Sequence, residues 1–214
     1  MKIAIAIYDN FTALDAIGPY EVLSHLPGAE TVFVGREKRP FRTDTKACAI
    51  VADASFDEVD RADVVIVPGG PDMQAIATDA TLIAWLRKVH PTTQWTTSVC
   101  TGALALAGAG ILAGVEAVTH WAAMDMLAQL GAKPVKERVV MRGKIVTAAG
   151  VSAGIDMALT LAAKIAGEKF ARAMQLAIEY DPQPPFDSGN AQTASPELVA
   201  LVLQLMTGAA APSA

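Results

Sequence analysis

Two cysteines, three histidines and an aromatic content of 6% are all that this chain of 214 residues offers of those types. Cys48 and Cys100 are too few to staple a disulfide scaffold, and with His25, His90 and His120 they show no zinc-ligand spacing. Charge is scarce too: 18% of residues are charged, the formal net charge is −5 and the pI is near 5.2. Lysine and arginine form no cluster, which argues against nucleic acid or an anionic membrane as partner, because phosphate binding needs grouped cations. Long apolar runs are missing as well. The stretch from Ala103 to Val115 is broken by glycines and falls short of a membrane span. The apolar start, Ile3 to Ile7, is too short for a signal peptide and reads as a buried strand. These absences lead us to expect a cytoplasmic protein whose cysteines are free thiols.

What the chain does have is apolar residues, 52% of the total, enough for one α/β core and with an excess that a second copy of the chain would cover. Strand and helix signals alternate without repeats. Strands are expected over residues 3–7, 31–34, 49–52, 64–67 and 95–99. Helices are expected over 14–26, 79–90, the residues after Cys100, 121–130, 152–166 and 168–178, with a last one opened by Ser195-Pro196-Glu197. Val64-Val65-Ile66-Val67 is a continuous β-branched run, as a strand buried on both faces of a parallel sheet requires. Residues 36–46 read as a polar loop, 137–147 as a hairpin turning at Arg142-Gly143, and Asp181 to Asp187 as a stiff proline-rich segment. The sum is a single domain over residues 1–214: an α/β, doubly wound, mostly parallel sheet sandwiched by helices, flavodoxin-like, with functional loops at the carboxyl ends of its strands.

Cys100 stands where a β-prone run, Trp95 to Val99, meets a small-residue helix. A nucleophile elbow has this form: the side chain is thrust up from the sheet toward the unpaired N–H groups of the helix start. A buried cysteine with no role would occupy the same place. Asp15, in an apolar setting after the first strand, is either a helix cap or an acid brought to the thiol. Glu21, on the helix that follows, is either solvated or part of the same site. Pro68-Gly69-Gly70 offers backbone donors free of Cβ atoms, or simply a tight turn. His120, before Trp121, is either a general base or a residue that hydrogen-bonds a helix start.

Five segments together resemble the ThiJ/PfpI superfamily, in order and over nearly the whole chain: Asp15 to Leu23, Val67-Pro68-Gly69-Gly70, Ser98 to Gly102, Thr119-His120-Trp121 and Gly150 to Asp156. The elbow Cys100-Thr101-Gly102 and the sequence Glu179-Tyr180 before the proline-rich segment are most similar to its isocyanide hydratase branch. Thr101 stands where the proteolytic relatives carry histidine. The resemblance implies a cysteine enzyme that turns a small isocyanide into an N-substituted formamide through a thioimidate, with no metal or organic cofactor, acting as a homodimer. It implies Cys100 as nucleophile, Asp15 as acid and base, Glu21 as the carboxyl beside the sulfur, and backbone donors from Thr101 and Gly70. Pro71, which has no N–H, departs from the expected donor set. A deglycase or glyoxalase would instead lean on Glu21 and His120. A redox sensor or a ligand-binding regulator of the same superfamily would need only an exposed, acidic thiol or a pocket.

Overall fold

The computed structural model describes residues 1–206. They fall into two compact units, Met1–Ile178 and a C-terminal one beginning at Glu179. The first unit opens with β1 (Lys2–Ala6), α1 (Ala13–Leu23), β2 (Glu30–Gly35), β3 (Pro40–Arg42), β4 (Ala49–Val51) and β5 (Ala54–Ser55). It continues through β6 (Val64–Val67), α2 (Met73–Thr78), α3 (Ala80–Val89), β7 (Trp95–Val99) and α4 (Gly102–Gly108). After β8 (Glu116–Ala117), α5 (Met124–Gln129) and β9 (Lys133–Pro134) come β10 (Val139–Arg142), β11 (Ile145–Ala148), α6 (Ala153–Ala166) and α7 (Glu168–Ala177). The second unit contains α8 (Pro196–Met206), on which Leu198, Leu201, Val202, Leu203, Leu205 and Met206 are all exposed.

Seven strands form one sheet in the order β10-β11-β7-β6-β1-β2-β5. All neighbours are parallel except the edge pair β10 and β11, joined by the expected hairpin. From β2 to β11 the order is that of a flavodoxin-like sheet, whose ligand crevice lies outside the carboxyl ends of the strands. Val64 to Val67 are fully buried, as a central parallel strand dictates. One group of helices is built from α1, α6 and α7, the other from α2, α3, α4 and α5. The α1–α6 contact is close because it uses small residues: a Cβ on Gly18 would lie 3.1 Å from Ile155, and one on Gly154 3.3 Å from Pro19.

Three local expectations give way. Residues 36–46 contain β3, which pairs antiparallel with β4 as a separate ribbon, because Phe41 is fully buried and anchors it opposite Ile50. The short strand expected at 49–52 forms as β4, in this ribbon and not in the main sheet. Helix α2 was not foreseen; Asp72 caps it through the Ala75 N–H, and Asp79 ends it by capping α3 through Thr81 and Leu82. The helix expected from Trp121 opens as a tighter 3₁₀ turn, Trp121–Ala123, before α5.

Candidate active site

Cys100 follows β7 directly and holds a left-handed φ of +56°, strained for a residue with a side chain. Three hydrogen bonds keep the turn. The Cys100 N–H donates to the carbonyls of Ala149 at 2.8 Å and Ala148 at 3.2 Å, and its own carbonyl accepts the Thr119 hydroxyl at 2.8 Å. Behind it, Gly102 lets α4 start hard against β6; a Cβ there would lie 2.1 Å from the Val67 carbonyl oxygen. Cys100 is buried, 5% exposed, and the Thr101 and Val151 backbones act on its sulfur to pull the thiol pKa down.

Asp15 is the carboxyl that acts on this thiol. It lies in the first turn of α1, where Thr12 holds the N-cap position without a side-chain cap, because the Thr12 hydroxyl donates to Asp44 instead. Asp15 therefore points inward, 0% exposed, and its Oδ2 accepts the Gly69 N–H at 2.8 Å. Oδ1 is buried without a geometrically formed hydrogen bond, while the carboxyl lies near enough to the Cys100 thiol for a weak sulfur hydrogen bond to act on it. Burial raises the Asp15 pKa to about 7, against the opposing pull of the Gly69 N–H and the thiol. Burial and the Asp15 charge push the Cys100 thiol well above its ordinary range, more strongly than the Thr101 and Val151 N–H groups pull it down. One acidic proton between carboxyl and thiol is the arrangement these opposing pulls favour.

The glycine pair serves this acid rather than facing solvent. The Gly69 N–H is taken by Asp15, and the Gly70 N–H by the Thr101 hydroxyl at 2.8 Å. Thr101 also donates its hydroxyl proton to the Gly70 carbonyl at 2.7 Å, so hydroxyl and glycine close a two-bond clasp. Gly70 is thus not a free oxyanion donor, a correction to the expected donor set; the donors at the sulfur are the Thr101 and Val151 backbones. The missing N–H of Pro71 leaves this clasp intact, since the clasp uses only the N–H and C=O of Gly70.

Glu21 is a second correction. It is exposed on α1, and six residues of helix turn it about 120° away from Asp15. The place beside the sulfur that resemblance gave to Glu21 is held by Asp15. His120 is half-buried at the start of the 3₁₀ turn, where its Nδ1 accepts the Ala122 N–H at 3.3 Å. Burial lowers its pKa, and its ring rests on Gly150, whose Cβ would lie 3.0 Å from it. The helix-start reading of His120 therefore describes its contacts, next to the Ala149–Val151 segment that surrounds the sulfur.

Two residues escaped the sequence reading. Tyr8, just past β1, donates its hydroxyl to the Pro68 carbonyl at 2.5 Å, and Val151 supplies a backbone donor. For Tyr8 the available signal was its place at the carboxyl end of a buried strand; Val151 lay within the Gly150 to Asp156 segment of the resemblance, but nothing in its residue type marks a backbone donor. Tyr8 also walls a cavity of about 120 Å³ whose lining includes Asn10, Arg36, Asp72 and Asp79; Cys100 is not part of it. Among the described residues no group of three or more His, Cys, Asp or Glu side chains could hold a metal ion, and no helix is long and apolar enough to cross a membrane.

The model of the DJ-1/PfpI family matches residues 1–164. Isonitrile hydratase of Pseudomonas putida is 39% identical over 199 residues, spanning 93% of this chain and 87% of that protein. The glutathione-independent glyoxalase DJR-1.2 of Caenorhabditis elegans is 25% identical over 143 residues, 65% of this chain and 75% of that one. A crystal structure of a THiJ/PfpI family protein from Pseudomonas syringae superposes with a TM-score of 0.92 at 35% identity, covering 97% of this chain and 86% of its own.

Proposed function

The chain belongs to the DJ-1/PfpI family, and from that premise we propose that it is a cysteine enzyme hydrating an isocyanide, R–NC, to an N-substituted formamide. The observation that carries this reading is Asp15: a buried carboxyl beside the thiol, poised near neutrality, with one oxygen left unpartnered. An isocyanide has a single carbon that must receive both a nucleophile and a proton, so the acid must reach the carbon the sulfur attacks. As Cys100 Sγ bonds to that carbon, the thiol proton passes to the Asp15 carboxylate and from there to the carbon, giving the thioimidate R–N=CH–S–Cys100. Asp15, again a carboxylate, then takes a proton from water as the hydroxyl adds to the carbon. Nitrogen is protonated, the C–S bond breaks, and the sulfur leaves with a proton as R–NH–CHO forms. A carboxyl with a pKa of about 7 suits both directions of transfer. The Thr101 and Val151 N–H groups at the sulfur ease its departure.

Purified protein incubated with an aryl isocyanide is expected to release the matching formamide. Cys100→Ala and Asp15→Asn should each lower turnover by at least about 100-fold. Cys48→Ala, at an exposed thiol, should keep it. Equal losses from both cysteine substitutions would remove the elbow assignment. Consumption of methylglyoxal much faster than of any isocyanide would make the glyoxalase-like reading the better one.

A further inference from the structure

We propose that Tyr8 is a positioning residue for the Asp15–Cys100 pair, acting through the single peptide unit between Pro68 and Gly69. The two ends of that unit are gripped from opposite sides. The Tyr8 hydroxyl donates to the Pro68 carbonyl at 2.5 Å, and the N–H of the same amide, on Gly69, donates to Asp15 Oδ2 at 2.8 Å. Donation to an amide oxygen polarises the amide and strengthens its N–H as a donor, so the phenol stabilises the Asp15 carboxylate without touching it. The next peptide is held as firmly, by the Thr12 N–H on the Gly69 carbonyl and the Thr101 hydroxyl on the Gly70 N–H, so the first cannot rotate away. Nor can the loop be respaced: a Cβ on Gly69 would lie 2.5 Å from the Thr101 nitrogen and 3.0 Å from Asp15 Oδ2.

Tyr8 suits the part because it stays a donor. Burial, the Asp15 charge and the Cys100 charge raise its own pKa well above the usual tyrosine value, so it keeps its proton wherever Asp15 titrates. The other titratable groups that act on Asp15 are Cys100 from the elbow and Asp44 from the loop after β3; Asp79, capping α3, acts on Tyr8. A phenylalanine at position 8 leaves all of these in place. The proposal rests on the reading of Asp15 as the acid, but its test does not need turnover.

The experiment follows the Asp15 carboxyl by carbon NMR of aspartate-labelled protein, with Asp15→Asn identifying the signal. In Tyr8→Phe the Asp15 pKa should rise by about half a unit or more, since the carboxylate loses part of its support. With 3-fluorotyrosine placed at position 8, a stronger donor of similar shape, it should fall. Opposite shifts are the signature of the relay, because simple loosening of the loop would move both proteins the same way. An unmoved Asp15 titration in folded Tyr8→Phe, or shifts of equal sign, would overturn the proposal. The pH dependence of formamide formation should follow the same displacements. Absence of isocyanide turnover together with opposite NMR shifts would remove the proposed substrate and leave the relay standing.

Discussion

At the scale of the residue, Asp15 joins function to stability. Its folded pKa of about 7 lies above the unfolded value of about 4, so between those pH values the folded state binds the proton more tightly. Stability from this group is fully present below pH of about 4 and is lost as the pH rises through about 7. The charged carboxylate is then held in the core against its burial cost. Asn in its place keeps an acceptor for the Gly69 N–H and has no charge to bury. Asp15→Asn is therefore expected to melt higher than the wild type at pH 8 and to lose most of that advantage at pH 5, a difference on the order of 4 kcal/mol at most. Thermal unfolding at the two pH values measures it; parallel curves would mean that Asp15 is not buried as a proton-holding acid. Little of this was legible locally. Near the start of a helix an aspartate reads as a cap, and what raises the pKa of Asp15 is its burial, while the N–H that holds its carboxyl belongs to Gly69, distant in sequence and brought close only by the fold. Glu21 misled for the complementary reason: it shares a helix with Asp15 but not a face.

At the scale of the element, the site depends on how closely α4 can start against the end of β6. Gly102 is the residue that decides this, since a methyl group there meets the carbonyl oxygens of Val67 at 2.1 Å and Pro68 at 2.7 Å, both backbone atoms that cannot swing aside. Gly102→Ala is expected to destabilise the fold by about 2–4 kcal/mol, while Gly189→Ala, with nothing within 4 Å, should change it by no more than about 0.5 kcal/mol. Denaturant midpoints compare them, and a small effect at Gly102 would show that α4 shifts freely. The elements themselves were largely readable, because β6 and β7 announce themselves by β-branched runs and α6 by its apolar spacing. The junction of strand, cysteine and small-residue helix was readable, and at it Cys100 holds a φ of +56°. What escaped were pieces fixed by distant partners. Strand β3 exists because Phe41 fills the space beside Gly35, and α2 because Asp72 and Asp79 divide one stretch into two helices.

At the scale of the whole molecule, the apolar excess of the sequence has a visible counterpart. Leu14 on α1 is 41% exposed, and α8 leaves Leu203 and Leu205 exposed at 43% and 54%. Large apolar side chains left in solvent, on α1 in the one unit and on α8 in the other, are surface that contact with another chain would cover. The expected state is a C2 homodimer with α1 near the two-fold axis, which would hold Asp15 still relative to Cys100 as a proton transfer at fixed geometry requires. Light scattering at micromolar concentration should give twice the chain mass. Leu14→Lys should weaken the dimer and lower isocyanide turnover together, because a charge would then be buried at the two-fold beside the helix that carries the acid. Leu205→Lys, on α8, separates the surfaces: if it alone yields monomers, the contact runs through the C-terminal unit and not through α1. A monomeric wild type with undiminished turnover would mean that one chain completes its own site, and that the exposed leucines answer to something other than catalysis.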